Sequence, residues 1–276
     1  MADHDSPGPT IARVFDSIAE TYDQTGVDFF RPVAERLVAL LAPAPGSSAL
    51  DVGCGRGAAT LPLAAAVGAA GRVDAVDVSP AMAAATQSVV EAAGHRHVQV
   101  LVSDADDLTA AVNPPYDLVA SSLVLFFLVD PAAALRSWVD LLVPGGRIGL
   151  TTFGTLDDAT AEIDELLLVH QPPTLRDART NGAQGPFASD AGMEELVRAA
   201  GASSVTTTVE PAVLEFADVD QWLRFSMSTG QRAMWANVPE PERPRVVERA
   251  AEILATTNPG GPGRLVWQMR YTLGTR

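Results

Sequence analysis

Lysine is absent: all 19 basic residues of the 276-residue chain are arginine. That excludes a Schiff base on the protein and a lysine general base. Cysteine occurs once, at Cys54, so an intramolecular disulfide and a cysteine-rich metal site are both excluded. Positive charge is scarce. With a formal net charge of −15, the chain lacks the basic face that nucleic-acid phosphates require, and a small uncharged substrate suits it better. No apolar run approaches the ~20 residues of a membrane span. The stretch Met1 to Pro9 lacks the basic-then-apolar profile of a secretory signal, so a cytoplasmic location is expected.

What is present centres on Ala49-Leu50-Asp51-Val52-Gly53-Cys54-Gly55-Arg56-Gly57-Ala58. A short apolar strand ends in a carboxylate, and Gly53, Gly55 and Gly57 then carry the chain into an alanine-rich helix. Such a turn exposes backbone N–H groups to a ligand at short range. Gly53-x-Gly55-x-x-Ala58 also satisfies the dinucleotide fingerprint, so the glycines alone leave a nicotinamide-dependent oxidoreductase open. Asp51 weighs against it. A pyrophosphate beside this carboxylate would face a like-charge contact costing roughly 1–4 kcal/mol, whereas a ligand carrying an ammonium and a sulfonium would be attracted. Cys54, inside the turn, reads as a small packing residue.

Strand and helix patterns then alternate: strands at 49–52, 72–76 and 98–102, with helices from Ala58 and Pro80. This is the pattern of a parallel sheet with helices on both faces. Asp77 closes the second strand about twenty residues beyond the glycines, where a carboxylate can accept from two vicinal ribose hydroxyls. Ser79 and Pro80 supply a helix cap beside it, and the two readings coexist. Val78 and Met82 then stand where an adenine would find apolar contact, although Met82 equally suits the core.

These residues resemble motif I of the class I S-adenosylmethionine (SAM) dependent methyltransferases, an acid followed at the second position by Gly-x-Gly-x-Gly. Further stretches carry the resemblance. Ala19-Glu20-Thr21-Tyr22-Asp23 is similar to the leader of the ubiquinone/menaquinone-type enzymes, which implies that Tyr22 closes over the methionine end of SAM. Arg31 would reach the SAM carboxylate, with a solvated arginine as the alternative. Ser103-Asp104-Ala105 resembles a Gly-Asp-Ala segment, implying that Asp104 accepts from the adenine amino group and the Ala105 N–H donates to the ring. Asp106 and Asp107 are read as surface. The run Tyr116–Leu128 is read as a fourth buried strand, with the Ser121 carbonyl offered to the SAM ammonium, and Pro144-Gly145-Gly146 turns into a fifth strand at 148–153. Many relatives carry a histidine pair where this chain has Phe126-Phe127; if this point faces the donor methyl, the site is apolar there, and both phenylalanines equally suit the core.

Beyond Phe153 the resemblance weakens. A helix over 157–170 ends in His170, a candidate general base and substrate contact, or a histidine merely favoured by the helix dipole. A sixth strand is expected at 203–209 and a seventh at 265–273. The segment between them, with Trp222, Phe225 and Trp235, is read as a helical lid over the strand ends, contacting an apolar acceptor or simply packing on its own domain. His95 and His97 have no third ligand in view, so no metal is expected.

The expected architecture is therefore α/β, a Rossmann-like, seven-stranded, mostly parallel sheet sandwiched by helices. Its parts are an N-terminal helical cap (1–45), a SAM-binding core (46–217), a helical lid (218–263) and the last core strand (264–276). The expected function is SAM-dependent methylation of a small, largely apolar metabolite (a quinone, isoprenoid, polyketide or indole-like compound) at carbon or oxygen, leaving S-adenosylhomocysteine. A SAM-binding protein that guides a cyclisation is the quieter alternative.

Overall fold

The computed structural model describes residues 8–108, 111–172 and 185–276. Seven strands form one sheet: β1 (Ser48–Val52), β2 (Arg72–Asp77), β3 (Val98–Val102), β4 (Tyr116–Ser122), β5 (Leu142–Leu156), β6 (Ser203–Phe216) and β7 (Gly263–Thr275). Their order is β3-β2-β1-β4-β5-β7-β6. The first five lie parallel, and β7 runs antiparallel between β5 and β6. The chain reverses its direction of travel across the sheet between β1 and β4. Open α/β sheets bind ligands in the crevice at such a point.

Strand alternation divides the core into two layers. Ala49 of β1 and Leu118 and Ala120 of β4 face one layer, which α2 (Phe30–Leu41) and α3 (Thr60–Val67) cover. Leu50, Val52 and Val119 face the other, covered by α5 (Pro131–Asp140) and α7 (Asp190–Ala199). In α2 the buried residues Val33, Ala34, Leu37, Val38 and Leu41 fall at helical spacing, so one stripe of the helix meets the sheet. Helix starts follow local chemistry. Ser79 caps α4 (Pro80–Ala92) by accepting from the Met82 N–H. Asp130 and Asp157 do the same for α5 and for α6 (Asp158–Leu168).

Two departures from the sequence reading matter for the site. The apolar run after Asp117 is not one long strand: β4 stops at Ser122, Leu123 takes φ +62°, and a 3-10 turn follows at Leu125–Phe127. A left-handed residue cannot continue a strand, so the chain folds back over the strand ends. The segment between β6 and β7 is helical, with α8 (Val219–Met227), α9 (Arg232–Trp235) and α10 (Arg243–Thr257). These helices pack on α6, β6 and β7. What covers the ends of β1, β2 and β4 is instead α1 (Gly8–Ile18), which rests on α4.

Candidate functional site

The β1–α3 turn is held open by backbone geometry. Gly53 has φ +74°, and a Cβ there would sit 2.2 Å from Val124 Cγ2, so only glycine admits the chain leaving β4. Gly55 has φ +55°, and a Cβ built on it would meet nothing nearer than the Tyr22 ring at 3.9 Å. The missing side chain therefore leaves a cradle that faces Tyr22. Gly55 is clamped from both sides: its N–H donates to Asp77 Oδ2 at 2.8 Å, and its carbonyl accepts from the Thr86 hydroxyl at 2.6 Å. Gly57 lies farther back, against Val89 and Thr86 of α4.

Two carboxylates flank the turn. Asp77 accepts from the N–H groups of Gly55 and Ser79, one on each oxygen. Burial pushes its carboxyl above the ordinary carboxylate range, while those two N–H groups pull it down. A carboxylate accepts up to about four hydrogen bonds, so Asp77 retains acceptor capacity toward the cavity that it lines. Asp51 does not line that cavity. It is 1% exposed and accepts from the Thr60 hydroxyl at 2.6 Å. Burial raises its pKa to about 7, against the lowering effect of Thr60.

The cavity holds about 790 Å³ of space between atoms, part of it open solvent. Among the residues that the sequence singled out, Tyr22, Gly53, Gly55, Asp77, Val78 and Met82 line it. Asp104, Ala105 and Phe127 do so as well. The Ala105 backbone is fixed from behind, its carbonyl accepting from the indole of Trp138, and the Asp104 carboxylate accepts from the Asp106 N–H. Burial raises the Tyr22 phenol far above its ordinary pKa, so it stays protonated.

Several expectations are displaced. Arg31 is exposed, paired with Asp28 at 2.7 Å and Glu35 at 3.5 Å, and is not among the cavity's lining residues. Ser121 is buried, its hydroxyl donating to the Val52 carbonyl; the cavity wall begins one residue later, at Ser122. Asp106 is exposed, as its surface reading expects, and also stands at the cavity wall with Asp104. His170 is half-buried just past the end of α6 and is not among the lining residues. Trp222, Phe225 and Trp235 are buried in the α2-side core, where the two indoles contact each other at 6.0 Å. No residue of 218–263 lines the cavity. His97 turns its ring to the Ala64 carbonyl.

The sequence reading missed the residues that close the cavity from the N-terminal side. Ile11 and Phe15 of α1 line it. The Asp16 carboxylate accepts from the Ser79 hydroxyl at 2.5 Å, and the Arg56 guanidinium donates to the Ala19 carbonyl.

A sheet of this order, with antiparallel β7, a left-handed glycine turn after β1 and an acid ending β2, defines the class I methyltransferase architecture. The methyltransferase domain family matches residues 49–146. The nocamycin O-methyltransferase of Saccharothrix syringae is 33% identical, over 95% of this chain and 96% of its own length. The aklanonic acid methyltransferase of a Streptomyces species is 36% identical over 60% of this chain and 79% of its own. Among solved structures, the YcgJ protein of Bacillus subtilis shares the fold at TM-score 0.58 and 16% identity, covering 88% of this chain and 97% of that one. The chain belongs to the SAM-dependent methyltransferases, and the nicotinamide reading of the glycine turn falls away.

Proposed function

We propose that the chain methylates an oxygen or carbon of a small, largely apolar metabolite (a quinone, isoprenoid, polyketide or indole-like compound), chiefly by proximity and orientation. The observation that carries this reading is the apolar part of the cavity lining, to which Ile11, Phe15, Tyr22, Leu123, Val124 and Phe127 contribute. The near full-length similarity to a nocamycin O-methyltransferase supports it.

The residues present fit the donor. Asp77 has spare acceptor capacity for a ribose diol, and the cradle at Gly55 leaves its backbone approachable. Val78 and Met82 provide an apolar wall for the adenine, with Asp104 and the Ala105 N–H at its polar edge. Tyr22 lies over the turn, on the side assigned to the methionine moiety. When bound, SAM supplies an electrophilic methyl on a positively charged sulfur that leaves as a neutral sulfide.

The protein's part is then to hold the acceptor atom in line and keep water out. Phe15, Tyr22 and Phe127 exclude water, and Leu123 and Val124, leaving β4, form the floor. Among the described lining residues none is a histidine, and the Tyr22 phenol holds its proton. The ionisable groups left there are the carboxylates of Asp77, Asp104 and Asp106, which suits an acceptor with an acidic hydroxyl or an electron-rich carbon. The test is incubation with methyl-labelled SAM and fractionated metabolite extracts, followed by mass spectrometry. Label in an organic-extractable O- or C-methyl product supports the reading. Label confined to polar amines or to nucleic acid overturns it.

A further inference from the structure

We infer that α1 is a hinged cover on the donor cavity, and that Asp16 is the latch that sets how fast donor and product exchange. This rests on the donor assignment above and goes beyond it. Asp16 is neither a lining residue of the cavity nor part of the glycine turn.

α1 reaches the cavity through Ile11 and Phe15, four residues apart and so on one face of the helix. Phe15 meets Phe127 edge to face at 5.5 Å between ring centres, and Tyr22 at 6.1 Å. One side chain of α1 thus touches both the ring over the glycine cradle and the turn that follows β4. Yet α1 belongs to neither layer of the core. Its C-terminal end places Ile18 and Ala19 against Met82 of α4, in a small cluster of their own. An element with so little buried apolar contact separates from its support at low cost.

The connection to α2 permits movement. Asp23 takes φ +56° and Gly26 φ +78°, so two left-handed residues lie between the helices. Aspartate and glycine tolerate that region, and a few residues between elements are where a hinge absorbs its rotation.

What fastens the cover is polar. The Asp16 carboxylate accepts from the Ser79 hydroxyl at 2.5 Å and from the Ala81 N–H at 3.2 Å, at the N-terminus of α4. The helix dipole favours a carboxylate there. Ser79 has duties of its own: its oxygen accepts from the Met82 N–H, and its N–H donates to Asp77. Removing the Asp16 side chain therefore undoes the fastening and leaves the α4 cap and the ribose acid in place. A second attachment, Arg56 to the Ala19 carbonyl, lies beyond the end of α1 on the hinge side. Asp16 is exposed, so water competes for its hydrogen bonds and the latch is weak enough to open.

The test is measurement of the association and dissociation rates of labelled S-adenosylhomocysteine with the full-length protein, wild type and Asp16→Ala. A ligand that passes only through the open state gains in both rates when the latch is removed, whereas loss of a donor contact speeds dissociation alone. The expected result is a rise of roughly three- to tenfold in each rate, the span to which a hydrogen bond shared with water converts. Because both rates rise together, Kd should change by less than about threefold. Asp16→Asn keeps an oxygen for Ser79 and Ala81 and should return both rates to within about threefold of wild type. Hydrogen exchange gives an independent reading. The α1 amides should exchange faster in free Asp16→Ala than in the free wild type, and should slow in both on saturation with S-adenosylhomocysteine. Unchanged rates in Asp16→Ala, faster dissociation with unchanged association, or α1 amides indifferent to S-adenosylhomocysteine would each overturn the inference and leave methyl transfer standing. Failure of S-adenosylhomocysteine to bind the wild type would instead count against the donor assignment on which it rests.

Discussion

Replacing Thr86 by valine keeps the volume of a fully buried residue of α4 and removes one hydroxyl. That hydroxyl donates to the Gly55 carbonyl at 2.6 Å, while the Gly55 N–H donates to Asp77. Gly55 is thus held at φ +55° by one clamp on each side of its residue. Loss of a hydrogen bond costs about 0.5–1.5 kcal/mol net, and a carbonyl left unpaired up to about 1–3 kcal/mol. Gly55 is half-buried, so water can satisfy part of the deficit, and about 1–2 kcal/mol is the expected loss. Where the loosened turn must be re-ordered by the ligand, that amounts to roughly 5- to 30-fold weaker S-adenosylhomocysteine binding. Calorimetric titration measures it, and thermal denaturation of the unliganded variant measures stability separately. Thr86→Ser restores the donor and should recover affinity to within about threefold. A Thr86→Val protein that melts earlier but binds at wild-type strength would refute the clamp and leave Thr86 a packing residue.

The buried Asp51 has its pKa raised to about 7, so the folded protein retains a proton there that the unfolded chain releases near pH 4. Its contribution to stability is therefore full at low pH and is lost as pH rises through about 7. Asp51→Asn should gain in melting temperature relative to wild type between pH 5 and pH 8, and parallel profiles would contradict this. Gly53→Ala should abolish donor binding, because its Cβ meets Val124 at 2.2 Å. Adding Val124→Ala should recover only part of the binding, since the backbone strain at φ +74° remains. His170→Ala should turn over normally at saturating substrate, because His170 lies outside the cavity wall; a kcat loss above about tenfold would return it to the chemistry.

The geometry of the glycine turn was largely legible because its parts are consecutive. The strand-end acid, the alternate glycines and the Asp77–Ser79–Pro80 cap are runs of neighbouring residues whose backbone geometry is set by their own chemistry. Other contacts are assembled from afar: Phe29 meets Trp267, and Trp267 meets Phe153, only once β7 inserts beside β5. Trp222 and Trp235 were attractive as substrate contacts because lid aromatics and core aromatics have the same spacing in a sequence; burial separates them. Leu123 hid inside an apolar run, since nothing about a leucine announces positive φ. Asp51 and Asp77 look equivalent as strand-end acids. The Thr60 hydroxyl draws one of them behind the turn and leaves the other facing the cavity.

The way α1 is fastened has its own consequence. Its polar attachments go to Ser79, two residues beyond Asp77, and to Arg56, between two glycines of the turn. The cover is hung from the very parts that it covers. A disturbance of the cradle is therefore also a disturbance of the door, and damage to either will be read in both.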